Sequence, residues 1–444
     1  MGGVSALART KALAIRRPPK APPSGAAGKS NFRKSLTVNA VSLMTATIAT
    51  NALGLVFWAE AARLKSPEVV GRAAATVAAL TLLATLAQLN LTNVFLRLLP
   101  SAGHLGKRLI GFGYVAVVTV ALLVGSAYVA SGLSSRVVTG GWVAHALFVV
   151  GVGVLAIFAL QDSVLTALRL APWVTIENVS FAAGKLALLP ALVLLPIGGG
   201  GIVISWVIPA AVAVIAVTVL LFKRILGRLA DLDCHLPDRR RLLSFVAGEY
   251  AGNLCATAAV QLIPLIVVWR LGAAQVAYFT LPWLIAMGIT QLLWNVGSPL
   301  VVELAGGRGD SSALLARGLA LWGVVVTGAV AVCVLGAHPL LELAGHRYAG
   351  NGAALLRLVG LSTPFSAVVV VYSTLLWIDC RIWRLAAFQA VSGAAMLGAT
   401  LLLLPHLGLI GVGWANLIAQ ALTAAIVAPL AARRLMSGEL VVAR

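Results

Sequence analysis

The chain has 444 residues, of which 60% are hydrophobic and 10% charged, and its 33 Lys and Arg against 13 Asp and Glu give a formal net charge of +20. This composition excludes a soluble globular protein, because a helix of about 20 mainly apolar residues crosses the roughly 30 Å hydrocarbon core of a bilayer and nearly the whole chain divides into such segments. The positive charge would point to nucleic acid in a soluble protein. Here it follows from membrane topology and attraction to anionic lipid head groups, so no nucleic-acid partner is expected.

In chain order, residues 1–35 form a tail rich in Pro, Gly, Ser, Lys and Arg, expected to be disordered and to lie against the cytoplasmic leaflet. No separate apolar core with a small-residue cleavage site precedes the first span, so a cleavable signal peptide is not expected. Gly28-Lys29-Ser30 ends like a phosphate-binding loop, but Pro23 stands where that motif requires Gly, and an ATPase reading is rejected. Twelve spans are predicted: 36–58, 69–96, 109–131, 142–165, 173–196, 202–222, 244–269, 275–301, 314–337, 353–378, 385–405 and 409–431. The expected fold is therefore an all-α polytopic membrane protein of about 12 transmembrane helices. Its six-helix halves cover 36–222 and 244–434, joined by a cytoplasmic linker at 223–243 and followed by a tail at 435–444.

Orientation follows from the loops, because Lys and Arg near span ends are retained on the cytoplasmic side. With the N-terminus inside, inner segments hold 25 of the 33 basic residues and outer segments hold seven: Arg63, Lys65, Arg72, Arg136, Arg270, Arg347 and Arg357. Lys185 remains, inside a span. A multi-pass protein of the cell membrane with both termini cytoplasmic is expected. Cys234, Cys255, Cys333 and Cys380 have no ligand spacing, and Cys234-His235 supplies too few donors for a metal site, so neither metal nor cofactor is expected.

The halves look related. Arg63-Leu64-Lys65-Ser66-Pro67-Glu68-Val69-Val70 lies 207 residues before Arg270-Leu271-Gly272-Ala273-Ala274-Gln275-Val276-Ala277, and in both an Arg ends a span and an acid or amide opens the next. Parallel repeats related by an axis along the membrane normal suit alternating access around a central cavity.

The chain resembles the multidrug/oligosaccharidyl-lipid/polysaccharide (MOP) exporter superfamily, and within it the Wzx-type polysaccharide flippases. The likeness rests on Asn51-Ala52-Leu53-Gly54-Leu55-Val56-Phe57-Trp58, Ala61-Ala62-Arg63, Pro67-Glu68-Val69-Val70-Gly71 and Leu96-Arg97-Leu98-Leu99-Pro100, over residues 36 to 434. Ala274 stands in the second repeat where the first has Pro67. The resemblance implies movement of a polyprenyl-pyrophosphate-linked oligosaccharide from the inner to the outer leaflet, with a polysaccharide polymerase or ligase as an associated partner.

Such a cargo joins an anionic pyrophosphate to a polar sugar and a long lipid tail, so the cavity needs cations. A charge at mid-helix costs about 3 kcal/mol or more and is a functional candidate by default. Lys185 lies about 18 Å deep by helix rise, and either lines an anion-binding cavity or pairs with a buried carboxylate. Arg63 and Arg270, at matching ends of the first and seventh spans, either form a repeat-related pyrophosphate clamp or anchor helices at the interface. Arg97, at the inner end of the second span, fits an anchor better than a head-group contact. Glu177 and Glu249 enter from the cytoplasmic side and are the candidates for ion or proton coupling, against a near-surface or ion-paired role with Arg33, Lys34 or Lys185. Asn39, Thr45, Thr47 and Asn51, with Gln88, Asn90 and Asn93, give the first spans polar faces. Gln261, Gln291, Asn295, Asn416 and Gln420 repeat the feature in the second half.

Three function classes follow. A lipid-linked oligosaccharide flippase with a cationic central cavity ranks above a cation-coupled multidrug exporter of the MATE (multidrug and toxic compound extrusion) type, which calls for intramembrane acids. A membrane glycosyltransferase, polymerase or ligase ranks last, because no large or acidic outer loop is present, and the chain is read as a non-enzyme.

Overall fold

A computed structural model describes residues 47–168, 170–194, 199–225, 250, 254, 257–258, 260–305, 311–378 and 382–437. The basic tail, the central linker, Glu249, Asn39, Thr45, Cys234, Cys255 and Cys380 lie outside them. Everything described is helical or turn: α1 at residues 47–64, α2 Pro67–Ala87, α3 Leu91–Leu98, α4 Gly106–Ala130, α5 Trp142–Ala167, α6 Ala171–Val193 and α7 Gly200–Leu220 in the first half. The second half holds α8 Val260–Leu271, α9 Ala273–Ala305, α10 Ser311–Leu335, the short α11 Ala337–Glu342, α12 His346–Ile378, α13 Ile382–Leu407 and α14 Leu409–Ser437. Among the described residues ten helices are long and apolar enough to cross a membrane. Large apolar side chains face outward along them, Phe112 at 74%, Val324 at 71% and Leu402 at 71% exposure, an exterior that lipid and not water must cover.

Packing within one half repeats in the other. The pairs α2–α4, α2–α5, α4–α5, α5–α6, α5–α7 and α6–α7 have the counterparts α9–α10, α9–α12, α10–α12, α12–α13, α12–α14 and α13–α14. Among α2–α7 and α9–α14 the most extensive contact between the halves is α2 against α9, the second helix of each repeat. It forms because Gly71 has no side chain: a Cβ there would run into the carbonyl of Ala273. Nearby, the Arg63 Nε–H donates to the Leu343 carbonyl at 2.8 Å, and Arg136 donates to the Trp269 carbonyl at 2.9 Å with its guanidinium 4.6 Å from the Trp269 ring centre. These contacts join the halves at the end that carries Gly272.

Two expectations change in detail. The span predicted at 69–96 is not one helix. It starts with Pro67 at the first helical position and Glu68 in the first turn, but stops at Ala87, turns through 88–90 and resumes as α3. Leu89 and Asn90 adopt left-handed φ values of 48° and 57°, a conformation that Asn tolerates better than other non-glycine residues. The Asn93 Nδ2–H donates to Asn90 Oδ1 at 2.9 Å and steadies the turn. The loop expected between 337 and 353 is largely helical, because α11 fills its first part, Gly345 reverses the chain at φ 120° and α12 begins at His346.

Candidate functional site

In the first half, α6 approaches α7 closely because Gly184 leaves room for Pro209, whose Cβ would sit 3.1 Å from an added Cβ. That approach brings Lys185 into a ring of aromatic faces. Its Nζ lies 4.3 Å from the Trp206 ring centre on α7, 5.0 Å from Phe181 one turn earlier on α6 and 5.4 Å from Phe57 on α1. The rings support one another, Phe181 against Trp206 at 5.8 Å and Phe57 against Trp206 at 6.0 Å. Lys185 is 7% exposed, and cation–π contacts at desolvated sites stabilise an ammonium by about 2 kcal/mol. The Trp206 Nε1–H is buried without a hydrogen-bond partner. The reading in which Lys185 pairs with Glu177 does not hold: eight residues along α6 place them about 12 Å apart, and neither Glu177 oxygen has a hydrogen-bond partner.

Glu177 is also not a hydrated near-surface group. It is 3% exposed and lines an apolar cavity of about 360 Å³ between α6 and α7. Asp162 on α5 lies within electrostatic reach of Glu177 and accepts a hydrogen bond from Asn178 Nδ2 at 3.0 Å. Beside it, Gln161 Nε2 donates to the Val214 carbonyl and to Thr218 Oγ1, at 3.1 and 2.9 Å, tying α5 to α7. Two acids and an amide layer therefore lie toward one end of the first half, with Lys185 two turns deeper.

The arginines occupy other places. Arg63 and Arg270 are both exposed. Arg63 engages the Leu343 carbonyl across the halves, whereas Arg270 borders an apolar cavity of about 400 Å³ walled by Leu82, Leu83, Leu262, Leu265 and Ile266. Arg97 is exposed at the end of α3. Glu249 lies outside the described residues.

The second half holds a feature that the polar residues in its sequence only hinted at. Among α8, α9, α12, α13 and α14 lies a cavity of about 220 Å³. Its polar lining includes Ser362, Ser366, Gln389, Ser392, Asn416 and Gln420, its aromatic lining includes Trp283, Trp294 and Phe388, and none of its lining residues among those described is ionisable. Asn416 Nδ2 donates to Ser362 Oγ at 2.7 Å, and Ser362 Oγ–H in turn donates to the Val359 carbonyl at 2.7 Å. In the matched packing of the halves, α6 and α7 correspond to α13 and α14. The helices that cage Lys185 in one half thus have counterparts in the other that wall a cavity with no charged residue among those described.

No family model and no curated protein matches the chain. Solved structures do. The inward-facing conformation of a multidrug resistance MATE family transporter of the MOP superfamily is similar over 91% of this chain and 100% of that one, with 15% identity and a TM-score of 0.64. The outward-facing conformation of such a transporter matches over 92% and 97%, with 15% identity and a TM-score of 0.58. The MATE multidrug transporter DinF-BH matches over 90% and 94%, with 15% identity and a TM-score of 0.61. The fold is that of the MATE transporters. A MATE-type fold accounts for the two similarly packed six-helix halves and for the polytopic all-α architecture expected from hydropathy.

Proposed function

We infer that the protein is a membrane transporter that works by alternating access and moves a polyprenyl-pyrophosphate-linked oligosaccharide from the inner to the outer leaflet of the cell membrane, with both termini cytoplasmic. The observation that carries this reading is Lys185, a buried ammonium held by three aromatic faces with no carboxylate in its cage among the described residues. An ammonium so placed is free to receive an anion, and charge-assisted hydrogen bonds to a pyrophosphate are the strong ones. Glu177, whose two oxygens lack donors, is a place for a proton or small cation to couple to the cycle. Arg270, beside its apolar cavity at the Gly272 end, suits the departing pyrophosphate and the first units of its lipid. The sealed contacts at that end match a state closed toward the outside.

The Glu177 and Asp162 pair favours a second reading, a cation-coupled exporter of amphipathic cations. The two separate in one experiment: delete the gene, measure leaflet accessibility of polyprenyl-linked oligosaccharides together with surface polysaccharide, and complement with wild type, Lys185→Met or Lys185→Arg. Flippase function predicts accumulation of a completed inward-facing lipid-linked unit, rescued by wild type, partly by Lys185→Arg and not by Lys185→Met. Losing charge-assisted hydrogen bonds of about 1.5–3 kcal/mol predicts an anion affinity lower by about tenfold to a hundredfold in Lys185→Met. Unchanged glycans with altered drug sensitivity would establish the second reading.

A further inference from the structure

We propose that the cavity in the second half is a separate neutral subsite that takes a sugar residue of the cargo, while the pyrophosphate goes to the first half. The proposal rests on the flippase reading and adds where and how the glycan is recognised. Its basis is the hydrogen-bonding state of the lining. The hydroxyls of Thr290, Ser362, Thr363 and Ser373 already donate to carbonyls of their own helices, at 3.0, 2.7, 3.2 and 2.8 Å. Thr290, Thr363 and Ser373 therefore keep their hydroxyl lone pairs for a ligand, whereas Ser362 Oγ already accepts from Asn416. Gln420 Oε1 is a further buried acceptor without a partner. Against these acceptors stands a donor: Trp283, 8% exposed, lines the cavity and its Nε1–H is buried without a partner.

A ligand that completes this set must donate to several oxygens and accept from an indole, both within one small volume. A hydroxyl group does both, and a ring carrying several hydroxyls does so at several points. An ammonium brings donors alone, and the described lining offers no carboxylate to balance its charge. A phosphate brings acceptors alone and finds no cation among the described lining residues. The volume of about 220 Å³ holds about seven waters at ~30 Å³ each, enough for one sugar residue and not for a whole oligosaccharide. The aromatic walls fit the same ligand, because a sugar ring has an apolar face. Trp283 is braced by Phe279 at 5.0 Å in stacked geometry, and Phe388 by Tyr372 at 5.3 Å. The two halves then divide a two-part cargo by chemistry, with Lys185 on α6 for the anion and the α12–α13–α14 cavity for the hydroxylated ring.

The test uses the full-length protein in nanodiscs and two probes: undecaprenyl pyrophosphate without sugar, and the lipid-linked oligosaccharide fraction extracted from the source organism deleted for this gene. Wild type is expected to bind the glycosylated lipid about tenfold more tightly than the bare lipid, since one or two net hydrogen bonds of about 0.5–1.5 kcal/mol each correspond to a factor of that order. The double variant Gln389→Leu with Gln420→Leu, and separately Trp283→Phe, which keeps an aromatic wall but removes the indole donor, are expected to reduce that ratio to within about twofold while leaving bare-lipid affinity unchanged. Lys185→Met is expected to weaken both probes equally. A tenfold preference that survives in both cavity variants, or no preference in wild type, overturns the subsite. If wild type binds neither probe, the flippase reading itself falls. Trp283→Phe decides the matter where the double variant melts early.

Discussion

Replacing Gly71 with Ala tests whether the contact at the Gly272 end is a closed gate. A Cβ on Gly71 would collide with the Ala273 carbonyl and sit 3.0 Å from the Ala277 nitrogen. Both obstacles are backbone, so no side-chain rotation relieves them and α2 and α9 must separate at this end. Overpacking of this kind costs about 1–3 kcal/mol. If the cost falls only on the state closed at the Gly272 end, the equilibrium between the two access states shifts by about 5–150-fold. Spin labels at Ser66 and Glu342, exposed residues at this end in opposite halves, read the change in a background with the native cysteines replaced. The expected result is a new population at longer distance, with transport slowed because the closed state is under-populated. Gly111→Ala is the control, since a Cβ there meets nothing within 4 Å and Ala favours a helix over Gly by about 1 kcal/mol. An unchanged distance distribution in Gly71→Ala, with an unchanged melting temperature, would refute the gate.

Two further outcomes follow. Asn90→Gly keeps the left-handed turn and loses the side-chain contacts of Asn90, the Asn93 hydrogen bond among them, at about 1 kcal/mol each. Asn90→Val loses them too and forces a β-branched residue into left-handed φ at about 1–3 kcal/mol more, so it should lower the melting temperature further. Equal melting of the two variants would show that the turn at 88–90 is not required. Glu177→Gln removes the titratable group but keeps its shape, so transport in proteoliposomes should lose its dependence on an imposed proton or cation gradient while exchange without a gradient persists. A gradient response equal to that of wild type would exclude Glu177 as the coupling group.

Much of the architecture was legible because the spans are separately hydrophobic and the repeated Arg63 and Arg270 segments mark corresponding turns. Lys185 was legible too, as a charge too deep for its span. Its surroundings were not. Phe181, at four residues' spacing on α6, was the only cage member with a local signal, while Phe57 and Trp206 come from helices brought together by folding. The break at Leu89 and Asn90 was hidden because the apolar run continues through it, and hydropathy does not report φ. The cavity of the second half was visible only as scattered Ser, Asn and Gln, residues that serve equally for helix–helix hydrogen bonding.

What the sequence determined by itself is what each segment decides alone, namely that apolar helices run along most of the chain and that Lys185 lies within one of them, since transfer into a bilayer depends on a segment's own composition. What only the tertiary structure decided is which side chains meet. The aromatic cage of Lys185, the unpartnered Glu177, the contact of Gly71 with Ala273 and the polar cavity of the second half all depend on helix approaches that short-range pattern does not encode.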